Sequence, residues 1–141
     1  MKNLANCTPR EFLIQTNRIK RSVEKWLKVT EVLKIRKTLP DMKATPEDAT
    51  DQERAEIAAE NRKRTREQVW KNFSRIFDVC MEEHVDETLE ILALLCFVDP
   101  KEVNDYPVSE YLKSVSEMLD NEEVIGFFTS LSKWVRLDIS N

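Results

Sequence analysis

Apolar residues recur along this chain at spacings of three, four and seven, the signature of helices with one covered face. Phe12, Ile19, Val23, Trp26 and Leu27 share such a face, while Arg18, Lys20, Arg21, Lys25 and Lys28 lie mostly off it. Thr8 as N-cap, Pro9 at the first helical position and Glu11 three residues after Thr8 form a capping box that starts this helix. The pattern leaves open whether Thr30 ends it or Val32, Leu33 and Ile35 continue it. The stretch "LPDMKATPEDATD" then reads as a mobile loop.

A second capping box, Thr50 to Glu53, opens a run without Gly or Pro that stays helical to about Glu83. Ala55, Ile57, Ala58 and Ala59 are the only weakly apolar positions of its first half, which predicts a solvated, projecting segment. Val69, Phe73, Ile76, Phe77 and Cys80 share one face of the second half, which predicts packing against a core. Asp86 then caps "ILALLCFV", Ile91 to Val98, with Glu87 and Glu90 in the first turn. A helix apolar on all sides is one surrounded by other elements. "DPKE" at Asp99 repeats the cap, proline and acid pattern, and Pro107 starts a helix with Tyr111, Leu112, Val115, Met118 and Leu119 inward. Asn121 caps a last helix carrying Val124, Ile125, Phe127, Phe128, Leu131 and Trp134.

Composition narrows the class. One glycine among 141 residues leaves little material for hairpins. The expectation is an all-α fold: a compact bundle of about five to seven helices around a buried central helix, with a charged loop and projecting helix near residues 39–66. Length favours one domain over residues 1–141, with 39–50 a flexible loop. Eight apolar residues are too few to cross a bilayer, which takes about 20 in a helix, so no membrane role is expected. Cys7, Cys80 and Cys96, odd in number and widely spaced, read as free thiols in a reducing cytoplasm.

Charge is uneven. Residues 1–40 hold ten Lys or Arg against three acids, and residues 72–141 hold five against fifteen. Opposite ends of this kind attract each other within the fold, or align several copies head to tail. A single histidine, His84, excludes a histidine-based triad or multi-histidine metal centre within one chain. Cys80 and His84 are spaced as two metal ligands, but two are too few, and no metal or other cofactor is expected. One glycine also excludes the Walker loop and the G-x-G-x-x-G turn. Adjacent acids such as Glu82 and Glu83, or Glu122 and Glu123, diverge on a helix, so no catalytic pair and no enzyme is expected. The cluster "NRKRTR", with Arg62, Lys63, Arg64 and Arg66, is diluted by Glu56, Glu60 and Glu67, which makes nucleic acid an unfavoured partner. The aromatic ending reads either as core or as an exposed face that holds another protein's helix through Phe127, Phe128, Leu131 and Trp134. Gly126 there serves close approach of a neighbouring helix or simple packing.

The segments "NCTPREFLIQTNRIKRSVEKWL", "DETLEILALLCFVDP", "YPVSEYL" and "NEEVIGFFTSL" together resemble the small tail assembly chaperones of long-tailed phages and prophages of Gram-positive bacteria. The resemblance runs along most of the chain and is least distinctive near residues 40–66. It implies a helical protein of the bacterial host cytoplasm that binds the tape measure protein and keeps it soluble until tail tube subunits polymerise around it. It implies absence from the mature virion and makes the tail tube protein a second candidate partner. The charge count adds self-association along one client as a hypothesis. The alternative is a small helical phage or prophage regulator that binds nucleic acid or a host protein.

Overall fold

The computed structural model describes residues 1–140, with side chains described through residue 133. The fold is all-α, with no strand among the described residues. The α-helices are α1 (Pro9–Thr30), α2 (Val32–Arg36), α3 (Asp51–Asp78), α4 (Val85–Leu95), α5 (Val108–Asp120) and α6 (Glu122–Ser140). A π-helical turn, Val79–Glu83, prolongs α3, and a 3-10 turn, Pro100–Asp105, follows α4. Contacts gather the chain into two compact units, Met1–Lys25 with Asp86–Asn141, and Trp26–Val85.

In the first unit, local chemistry sets the helix starts. The Thr8 hydroxyl accepts from Glu11 N at 3.3 Å while the Glu11 carboxylate accepts from Thr8 N at 3.1 Å, the reciprocal box the sequence predicts. Asp99 accepts from Lys101 N at 2.9 Å, and Asn121 from Val124 N at 3.0 Å. Helix α4 begins at Val85, two residues before the start that Asp86 as cap predicts, so Asp86 lies in its first turn and does not cap it. Ala93 and Cys96, 0 and 1% exposed, form a core cluster with Val103 and Tyr111, whose hydroxyl donates to Val103 O at 2.7 Å. Leu4, Met118 and Val124 centre a second cluster, which takes in Phe12, Ile19 and Phe97. Leu95 packs in both, so α4 is the element the two clusters share, and no residue of "ILALLCFV" is exposed.

The end of α4 is unusual. Val98 N donates to Ala93 O at 2.9 Å and Phe97 N to Leu94 O at 3.3 Å, the paired closure that normally carries glycine at the left-handed position. Here Phe97 occupies it, at φ 55°. The strain of a left-handed L-residue is about 1–2 kcal/mol. The Phe97 ring packs into the second cluster with Lys2 over its face, 5.7 Å from the centroid, which offsets that strain.

In the second unit, Glu31 takes φ 54° and separates α1 from α2, so Thr30 ends the first helix and Val32 to Arg36 form another. Helix α2 packs against α3. Thr50 caps α3 by accepting from Glu53 N at 3.2 Å. Residues 38–50 are irregular, and side chains of α3 hold their backbone. Asn72 donates to Thr38 O at 3.0 Å, Arg64 to Asp41 O at 3.0 Å, and Arg54 to Glu47 O at 3.0 Å. Asn61 makes two such bonds, accepting from Lys43 N at 2.8 Å and donating to Lys43 O at 3.1 Å. The charged segment therefore runs along α3 as a strap whose polar backbone is partly satisfied by side chains.

The core-facing side of α3 differs from the sequence expectation. Cys80 is buried and Ile76 half-buried, but Val69, Phe73 and Phe77 are exposed at 62, 57 and 53%. Asn72 and Val79 are buried instead. The strap is the reason: its carbonyls need donors, so a polar ladder of Gln68 to Asn72 to Thr38 occupies the covered side. The rings turn outward.

Candidate functional site

Within the first unit, an aromatic cluster lies where the start of α1 meets α6. Asn121 fixes the first turn of α6, and Val124 in that turn is buried in the second core cluster. Three, four and seven residues on, Phe127, Phe128 and Leu131 continue the same side of the helix. The Phe127 ring meets Phe12 edge to face at 5.2 Å, Phe128 lies 6.1 Å from Phe12, and Phe127 and Phe128 are 5.4 Å apart. These distances are those of attractive ring pairs. The cluster is nevertheless uncovered: Phe127, Phe128 and Leu131 are 41, 36 and 47% exposed.

Hollows flank the rings. One of about 370 Å³ is lined by Leu4, Cys7, Phe12, Leu13, Val124 and Phe127, among others, with Glu123 also contributing. Another of about 400 Å³ is lined by Ile125, Phe128, Thr129, Ser132 and Lys133. Phe127 therefore borders one hollow and Phe128 the other. A methyl group built on Gly126, the residue before Phe127, meets nothing within 4 Å among the described residues, so this glycine serves no close approach there.

Of the four residues that the sequence singles out, the structure brings Phe127 and Phe128 together, and Leu131 follows exposed on the same side of α6. The side chain of Trp134 lies outside the described residues. Sequence reasoning missed Phe12 as a member, because its spacing with Ile19 marks it as core, and it does pack in the second cluster. Its ring serves both.

Other candidates gather no chemistry. No group of three or more metal-ligating side chains occurs among the described residues, and no described helix is long and apolar enough to cross a membrane. Burial pushes the Cys80 and Cys96 thiols up, which keeps them protonated and poorly nucleophilic. In the basic cluster Arg64 is committed to Glu60 at 3.3 Å and to Asp41 O, while Arg62 and Arg66 line a hollow of about 530 Å³ with Met42 and Ala58. No protein-family model, curated protein or solved structure matches the chain.

Proposed function

We infer that this chain is a non-enzymatic tail assembly chaperone that binds the tape measure protein and keeps it soluble during tail morphogenesis. The observation that carries the reading is the uncovered aromatic cluster of Phe12, Phe127 and Phe128 with Leu131, set between two hollows. A helix with an apolar stripe docks into such a surface through residues at i, i+3, i+4 and i+7. A tape measure protein, as the family resemblance has it, presents long stripes of that kind. Binding of this type needs no cofactor. It operates in the host cytoplasm before tube subunits polymerise, with the tube protein as second partner, and ends before the virion is complete.

The test is co-expression with a tape measure protein of a long-tailed phage of Gram-positive bacteria, reading the soluble, co-purifying fraction. Wild type raises that fraction. Phe128→Asp, on a residue 36% exposed, keeps its helix content and loses the rescue. Full rescue by a folded Phe128→Asp variant overturns the site, and no rescue by wild type overturns the function. The alternative, a small helical phage or prophage regulator that binds nucleic acid or a host protein, draws on the exposed Arg62, Lys63 and Arg66. For nucleic acid it requires affinity that falls steeply with salt.

A further inference from the structure

Helix α3 and its π turn carry an apolar face of their own. Trp70, Phe73, Phe77 and Met81 are exposed at 70, 57, 53 and 51%, with Val69 beside them at 62%. Spacings of three and four put the first three on one side of the helix. Trp70 stacks on Phe73 at 5.8 Å and Phe73 lies 6.5 Å from Phe77, so the rings form a continuous ladder. Each aromatic side chain carries about 150–250 Å². At these exposures the stripe offers roughly 500 Å² of apolar surface, the size of a functional patch.

We propose that this face pairs with the same face of a second copy, the two α3 helices running antiparallel about a two-fold axis near Phe73. Charge selects both the occupant and the direction. Toward its N-terminus the stripe runs into Arg62, Lys63 and Arg66, which outnumber the neighbouring Glu67, and toward its C-terminus into Asp78 and Glu82. None of these six has an ion pair among the described residues, whereas Arg64 is paired with Glu60 and Arg75 with Glu83. A parallel pair sets like charge beside like. With Phe73 opposite Ser74 of the other copy, Trp70 falls opposite Phe77, and Arg66 falls opposite Met81 with Asp78 and Glu82 within one turn. A two-fold interface requires a patch complementary to itself. A stripe that is basic at one end and acidic at the other meets that requirement only in the antiparallel sense. The ring ladder and these flanking charges together approach the ~800 Å² per partner of a standard interface.

Sedimentation equilibrium of the full chain across the micromolar range tests the pairing without any client, so the result stands apart from the chaperone reading. The expected wild-type species has twice the 16.6 kDa chain mass. Phe73→Asp is expected to raise the dissociation constant by about 30-fold or more, as for a central interface residue. Arg66→Glu and Glu82→Arg each weaken the dimer, and the double variant restores it, because each reversed residue meets the other across the axis. Both charge variants alter exposed side chains, so the answer survives if Phe73→Asp fails to fold. A wild-type monomer at every concentration overturns the proposal, as does a dimer indifferent to all four variants.

Discussion

At the scale of single residues, Gly126 separates stability from binding. It sits inside α6 with open space where a methyl would go. Gly126→Ala is therefore expected to stabilise the protein by up to about 1 kcal/mol, the helix-propensity difference. If a client helix lies close against α6 there, the same methyl weakens client capture. Thermal melts and co-purification of the one variant read the two effects, and a lowered melting temperature contradicts the open space.

Glu11 makes a pH-dependent contribution at the other end of the cluster. The ammonium of Lys2, first, and then the backbone and hydroxyl of Thr8 hold its carboxyl down at about 2 from an ordinary 4.5. A carboxyl whose folded pKa lies below its unfolded value stabilises the fold above pH 4.5, and loses that contribution as pH falls toward about 2. Glu11→Gln is expected to be less stable than wild type at neutral pH and to converge with it across that acid window. Parallel stability curves for the two proteins count against the Lys2 and Thr8 contacts.

Among the elements, most helix starts were legible, that of α4 at Val85 excepted, and the covered side of α3 was not. Thr8 with Glu11, Thr50 with Glu53, Asp99 and Asn121 all cap where their spacing predicts, because a cap is a bond between residues two or three apart. The sequence likewise marked Phe127, Phe128 and Leu131 as one face, though it left open whether that face was covered. The side of α3 toward its neighbours is decided by Asn61, Arg64 and Asn72 reaching carbonyls 18 to 34 residues away, for which no local signal exists. The strap makes its own prediction. Asn61→Ala removes both bonds to Lys43. At about 1 kcal/mol net per bond, amide exchange at Lys43 is expected to accelerate about fivefold or more. Unchanged exchange at Lys43 contradicts a holding role for Asn61.

For the molecule as a whole, the charge division is partly used inside the first unit. Lys25 pairs with Glu90 at 3.2 Å, joining the basic beginning of the chain to its acidic end. The pair is exposed, so its worth is about 0–1 kcal/mol, and apolar burial around α4 and Leu4 dominates. Most of the basic residues of α1 remain outside such pairs among the described residues, available for steering a partner of opposite charge.

The first unit is also discontinuous in sequence, since residues 26–85 lie between its two parts. The Asn3 side chain donates to Glu117, 114 positions further along. On a ribosome, Leu4 and Phe12 therefore emerge long before Met118, Val124 and Phe127, the residues they pack against. At about 5–20 residues per second, that interval is roughly 5–20 seconds. The chain thus begins its own life with apolar side chains that stay unshielded until the last helix has been made.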